Sequence, residues 1–183
     1  MSLFCLMAAY LCGSIPFGLL IARAVSGKDV RQIGSGNIGA TNVERAAGRG
    51  AAAATLALDA AKGLLPVLLA PPDLRPACAV AAVVGHCFPV WLRFRGGKGV
   101  ATGLGVSLAI APWAALAGAA TWLAFELVLG ISSVGSLAGS AVAVAVAFFT
   151  APRSAAWALA AIAAIIIARH AGNIRRLLRG QES

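Results

Sequence analysis

From Val100 to Leu129 the chain runs for 30 residues in which Glu126 is the sole ionisable side chain. As one helix that run would be about 45 Å long at about 1.5 Å per residue, too long for a single crossing of a bilayer core about 30 Å thick. Pro112-Trp113, near its middle, therefore reads as a turn between two short spans. Other apolar runs fill most of the remaining sequence. Hydrophobic residues make up 60% of the chain and charged ones 11%, whereas a soluble domain averages about 45–50% and about 25%. These proportions predict an all-α integral membrane protein, with residues 1–183 forming one multi-pass domain.

Seven transmembrane helices are expected, some of them short. The first runs from about Leu3 to Ala22, kinked where Gly13-Ser14-Ile15-Pro16 interrupts the backbone hydrogen bonding. No positively charged region precedes it, so it reads as a retained span, not a cleaved leader. The second covers about Ala51 to Ala70 and the third about Ala77 to Leu92. Two come from residues 100–129, one ends near Phe149 and one near Ala168. Polar, glycine-rich segments lie between, above all residues 24–50 and the turn Gly130–Ser136.

The net charge of +9 is explained by where the cations fall. Arg23, Lys28, Arg31, Arg45, Arg49, Arg93, Arg95, Lys98, Arg169, Arg175, Arg176 and Arg179 share one side of the predicted topology, against Arg75 and Arg153 on the other. Cytoplasmic loops carry such an excess, which places the N-terminus outside and the C-terminus in the cytoplasm. The basicity is thus topological, and no nucleic-acid partner is implied. Cys5, Cys12, Cys78 and Cys87 lie in apolar runs without metal-ligand or redox spacing.

The polar motifs all fall on the cytoplasmic side. Arg93-Phe94-Arg95-Gly96-Gly97-Lys98-Gly99 sets three cations beside glycines, where bare backbone can approach an anion closely. Gly34-Ser35-Gly36-Asn37-Ile38-Gly39 matches the dinucleotide fingerprint literally but lacks the preceding strand and βαβ unit. It reads either as a phosphate nest or as helix-capping turns. Gly97-Lys98 is no nucleotide P-loop, because Gly99 follows the lysine and Leu92 stands at the leading glycine position.

Asp59 and Lys62, three apart on a helix, are expected to pair within the membrane. His86 reads as a buried structural histidine. His170, at the end of the last span and followed by Asn173, is either a capping cation or a proton-handling group. The cytoplasmic loops hold few acids, so no metal site is expected. Neither histidine begins an HxxxxD motif, since Trp91 and Arg175 occupy the fifth following positions. A small transporter is the competing class, but the sequence has no inverted repeat and its polar groups cluster at one surface.

Five segments, taken in order, resemble the bacterial membrane glycerol-3-phosphate acyltransferases that use acyl phosphate. They are GSIPFGLLI from Gly13, GSGNIGATN from Gly34, DAAKG from Asp59, GHCFPVWLRFRGGKGVAT from Gly85 and RHAGNIRRLLRGQE from Arg169. The resemblance implies seven helices in the bacterial inner membrane and an active site facing the cytoplasm. It implies transfer of a fatty acyl group from acyl phosphate to the 1-hydroxyl of sn-glycerol 3-phosphate in phospholipid biosynthesis. The products are lysophosphatidic acid and phosphate. No cofactor is needed, and an upstream enzyme forms the acyl phosphate. Carried over by position, the catalytic residues are Lys98, His170, Asn173 and Ser35. Substrate binding falls to Gly36, Asn37, Arg45, Gly96, Gly97, Ser132 and Ser133. The chain departs from the family pattern at Ala171 and at Gly130-Ile131, leaving Ser132, Ser133 and Ser136 as alternatives.

Overall fold

The computed structural model describes residues 1–182. Its helices are α1 Ser2–Gly13, α2 Phe17–Ser26, α3 Ala40–Leu69, α4 Arg75–Cys87, α5 Val100–Ile110, α6 Pro112–Leu129, α7 Ser132–Thr150, α8 Arg153–Arg169 and α9 Ala171–Leu178. The described residues contain no strand. Proline and glycine mark the breaks. Pro16 separates α1 from α2, and Pro112 opens α6 at a position where its missing N–H costs nothing. Gly48, at φ +85°, bends α3, so that Ala40–Ala47 leaves the line of the membrane-crossing part. A side chain at that φ would be strained.

Five segments are long and apolar enough to cross a bilayer: 2–26 taken together, 40–69, 75–92, 112–129 and 132–150. A sixth is the pair α8 and α9, bent by 59° at His170. The predicted division of residues 100–129 is present, with the turn at Ala111. The 11 residues of α5 reach only about 16 Å, half of a bilayer core. Length and composition therefore give five or six crossings where seven were expected. The predicted 130–136 loop is also shorter than expected, because α7 already begins at Ser132.

Glycines let the helices touch backbone to backbone. A Cβ on Gly13 would lie 2.0 Å from the Ala82 carbonyl oxygen, and one on Gly85 would lie 2.1 Å from that of Tyr10, so α1 and α4 cross there. Gly105 and Gly63 bring α5 and α3 together in the same way, against the oxygens of Ala60 (1.9 Å) and Thr102 (2.6 Å). Gly118 and Gly139 join α6 to α7. Helices in lipid gain little from burying apolar surface against each other, so close packing of small residues holds them. Alanines 79, 82, 111, 114, 147 and 156 fill the interior at 0–2% exposure.

The polar segments meet at one end of the bundle. Thr41 bonds across to Ser132, Arg169 to Gly96 and Gly97, and Ser133 to Glu182. These contacts span 49 to 91 residues of sequence.

Candidate active site

The first wall is the 30–39 segment, shaped by Asn42. This side chain is 2% exposed. Its Nδ2 donates to the carbonyls of Val30, Ile33 and Asn37, each at 2.9 Å, and its Oδ1 accepts from the Ser35 N–H at 3.3 Å. Gly34 sits at φ +52°, so close to Asn42 that a Cβ would lie 2.6 Å from Oδ1. The Gly36 N–H donates to the Ile33 carbonyl at 2.9 Å, and the Asn37 N–H points at Ser35 Oγ at 3.5 Å. Within the loop the amides of Ser35, Gly36 and Asn37 are thus engaged.

The second wall is the glycine turn, where the amides of Gly96 and Gly97 are engaged too. The Gly96 N–H donates to the Cys87 carbonyl and the Gly97 N–H to that of His86, both at 3.1 Å. Arg169 takes the two glycine carbonyls, Nε to Gly97 at 3.0 Å and Nη2 to Gly96 at 2.9 Å, while its guanidinium lies 5.3 Å over the Phe88 ring. A Cβ at Gly97 would fall 2.0 Å from His86 Nε2, and one at Gly96 would fall 2.1 Å from the His86 carbonyl oxygen. These two glycines are therefore close-packing positions with no N–H left to offer an anion. Sequence reading expected their amides to bind substrate; the end of α4 consumes them.

Lys98 supplies the charge at this turn. Its ammonium makes no hydrogen bond or ion pair among the described residues. Burial pushes it down to about 8, with Arg176, Arg169 and Arg45 acting in the same direction and Glu182 opposing. A half-buried cation without an ion-pair partner, ringed by other cations, favours an incoming anion. Directly after it, Gly99 at φ +90° caps α5, whose first N–H groups point the same way as a helix dipole's positive end.

Two polar corners complete the site. His170 is 1% exposed, and its Nδ1 lies 2.8 Å from the Ile166 carbonyl oxygen. A carbonyl can only accept, so Nδ1 carries the proton and Nε2 keeps its lone pair. Beside it Ser133, Asn173 and Arg176 all donate to the Glu182 carboxylate, Ser133 at 2.9 Å and Arg176 at 2.6 Å. Burial would raise the Glu182 carboxyl, but the bonds from Asn173, Arg176 and Ser133 hold it below its ordinary value. Ser132 accepts from Trp122 Nε1 at 3.3 Å and from Thr41 at 3.4 Å.

Ser35, Asn37, Arg45, Lys98, Ser132, Ser133, His170 and Asn173 line one cavity of about 820 Å³. A second, of about 870 Å³, opens on the other side of Lys98 and is lined by Ser35, Gly36, Asn37, Gly96, Asn173 and the arginines 31, 93, 95, 169 and 176. Ser35, Asn37, Lys98, Asn173 and Arg176 line both, so the partition between a mainly apolar and a cationic chamber is made of four expected site residues and Arg176. Gly97 lines neither cavity.

Three of the five ordered motifs meet at this partition, which calls for comparison with known proteins. A family model described as glycerol-3-phosphate acyltransferase matches residues 3–180. The chain belongs to that family. A glycerol-3-phosphate acyltransferase of Anaeromyxobacter sp. (strain Fw109-5) is 55% identical, with 96% of this chain and 92% of that protein covered. One from Myxococcus xanthus (strain DK1622) is 50% identical over 96% of this chain and 95% of its own. Among solved structures the chain is similar to PlsY (YgiH), an integral membrane glycerol 3-phosphate acyltransferase, in its glycerol 3-phosphate form. That match has TM-score 0.95 and 40% identity, covering 100% of this chain and 94% of PlsY. The lysophosphatidic acid form of PlsY gives TM-score 0.91 at 39% identity, with the same coverage.

In this acyltransferase fold three residues act that sequence reading passed over. Asn42 looked like one of several loop polars, and Arg169 like one cation among many. Glu182 was merely a tail acid. Each makes its bonds with segments distant or unpatterned in sequence. The spacing of Asn42 behind Gly34 and Gly39 was the one available signal. Beneath the site, Asp59 and Lys62 pair as expected at 2.6 Å, and Lys62 also donates to the Ile15 carbonyl at 2.6 Å. His86 is buried as predicted, its Nδ1 3.8 Å from Asp59 Oδ1. Glu126, the sole ionisable side chain of residues 100–129, lines the cavity of about 820 Å³. Its Oε2 has no hydrogen-bond partner among the described residues.

Proposed function

We propose that the chain transfers a fatty acyl group from acyl phosphate to the 1-hydroxyl of sn-glycerol 3-phosphate, giving lysophosphatidic acid and inorganic phosphate for phospholipid biosynthesis. The observation that carries this is the shared wall of the two chambers, where Lys98 stands between an apolar cavity and a cationic one. One substrate has a membrane-soluble tail and the other is a small soluble anion, and both bring phosphate. Side chains, not glycine amides, hold the two anions: Lys98, with Ser35 and Asn37, the donor's, and Arg45, Ser132 or Ser133, and Asn173 the acceptor's. The carboxylate of Glu182, already seated on Ser133, Asn173 and Arg176, supports an oxyanion site in that corner.

In the reaction the acceptor oxygen attacks the acyl carbonyl carbon, its O–H bond breaks, and the carbon–oxygen bond to phosphate then breaks. The leaving phosphate takes the electron pair and, at the end, the proton. Lys98 and the positive end of α5 neutralise the charge that grows on the phosphate. His170, with Nε2 as acceptor, orients the attacking hydroxyl, and a phosphate oxygen of the donor removes its proton. No enzyme-bound acyl group is required, because acyl phosphate is already activated. The site faces the cytoplasm across the inner membrane, with N-terminus outside and α5 completing a seventh, short crossing.

The test is a cell-free assay of purified protein with acyl phosphate and glycerol 3-phosphate, in the absence of CoA and metal. Phosphate release stoichiometric with lysophosphatidic acid is expected. Turnover with acyl-CoA but not acyl phosphate would refute the donor. A His170→Ala variant that abolishes a pH–rate limb near the imidazole range would make His170 the base instead.

A further inference from the structure

We infer that His86 is a positioning residue for the reaction, holding the turn that aims Lys98 and itself held by Asp59. The inference rests on the reading above of Lys98 as the cation on the donor's phosphate, and it adds what keeps that cation in place.

His86 is the last residue but one of α4 and is 3% exposed. It meets the glycine turn twice. Its carbonyl accepts from the Gly97 N–H at 3.1 Å, and its ring lies edge-on to the same glycine, where a Cβ would fall 2.0 Å from Nε2. Lys98 is the next residue, and His86 and Lys98 line one cavity. The other edge of the ring faces α3. There Nδ1 has no hydrogen-bond partner among the described residues, and Asp59 Oδ1 stands 3.8 Å from it. Asp59 is fixed in turn, because the Lys62 ammonium meets the same oxygen at 2.6 Å and donates to the Ile15 carbonyl beside the Pro16 break. A buried series of polar groups thus runs from the α1–α2 break through Lys62, Asp59 and His86 to the turn carrying Lys98.

Packing alone does not call for histidine here. A buried imidazole with an unpaired nitrogen carries a desolvation cost that a leucine of similar volume would not. What imidazole adds is polarity with a direction. An acidic oxygen facing Nδ1 favours the proton on that nitrogen, which leaves the Nε2 lone pair directed at the turn. The turn therefore rests on a negative pole whose orientation Asp59 sets from behind. A cationic residue carried by the turn is kept in one place by such a support, which an apolar side chain cannot supply.

The experiment compares His86→Leu with His86→Asn. Leucine nearly fills the imidazole's place without a polar atom, whereas asparagine leaves a gap but keeps an N–H where Nδ1 stands. His86→Leu is expected to lower kcat about tenfold or more, with KM for either substrate within about threefold of the parent's. His86→Asn is expected to regain at least about a third of the parent kcat. A packing role predicts the reverse order. The readout without any donor is the nitrogen NMR signal of Lys98 during titration with inorganic phosphate. Binding should weaken about fivefold in His86→Leu and stay within about twofold of the parent in His86→Asn. If no protein turns over acyl phosphate, the donor reading fails and that titration decides this one. If His86→Leu does not fold, His86→Gln takes its place, because its amide reaches the position of Nε2 and not that of Nδ1. Equal kcat in the two variants, a higher kcat in His86→Leu, or unchanged phosphate binding at Lys98 in both overturns the inference. So does a His86→Asn protein that fails to fold where His86→Leu folds.

Discussion

The 30–39 loop and the 93–99 turn look alike in sequence, each glycine-rich and each a candidate anion nest, yet they are built in opposite ways. The first is wired by a neutral side chain, Asn42, from behind. The second is stitched to the end of α4 by its own amides and clamped by a cation, Arg169. In both, glycines serve shape, and the proposed mechanism leaves the anion to side chains. The difference lies in what each delivers: the neutral loop presents hydroxyl and amide groups at Ser35 and Asn37, and the charged turn presents one half-buried ammonium at Lys98. A glycine pattern therefore identifies where backbone comes close, and a hydrogen-bond inventory is needed to say to what.

Breaking the charged turn at its tip should have the largest effect. Lys98→Met is expected to lower kcat/KM about 10²–10³-fold, with the fold retained as judged by thermal unfolding in detergent. Unwiring the neutral loop comes next. Asn42→Ala leaves the Asn37 carbonyl and the Ser35 amide without their partner, while the Val30 and Ile33 carbonyls keep the Ile33 and Gly36 amides; with each orphan costing about 1–3 kcal/mol the melting temperature and activity should fall together. Arg169→Gln removes two bonds to backbone oxygens, each worth about 1.5–3 kcal/mol when the donor is charged. Because the turn keeps its two amide bonds to α4, this variant should raise KM for the phosphate substrates more than it lowers the melting temperature. The smallest effect is expected from Gly97→Ala, where overpacking against the His86 ring costs about 1–3 kcal/mol. Adding His86→Ala should return part of that loss in a double-mutant cycle. Equal stability losses for Asn42→Ala and Arg169→Gln would erase the distinction drawn between the loops.

Much of this was legible in the sequence, because lipid leaves so few choices. Uncharged runs, Pro16 and Pro112 located most helices, and the Asp59–Lys62 pair followed from helical spacing alone. The bend at Gly48 and the start of α7 at Ser132 were not legible, since a glycine or serine inside a polar segment carries no periodic signal. The expected site residues came from the resemblance to a family, and all but Gly97 line one or both of the cavities. The use of the Gly96 and Gly97 amides was misread because a glycine beside a lysine suggests an anion, while the carbonyls of Cys87 and His86 that claim them depend on how α4 ends. Arg169 and Glu182 act over distances of 72 and 49 residues, beyond any local pattern.

The most direct test of the account is the titration of Lys98 itself, followed by nitrogen NMR of lysine-labelled protein in which Lys28 and Lys62 are the remaining lysines. The account predicts that the ligand-free ammonium titrates at about 8 and moves upward when glycerol 3-phosphate or inorganic phosphate is added, because a neighbouring anion favours the charged form. Consequently kcat/KM should decline as pH rises through about 8, and Lys98→Arg should flatten that decline. A Lys98 signal that titrates at about 10.4, the value of a solvated lysine, and ignores both anions would contradict it.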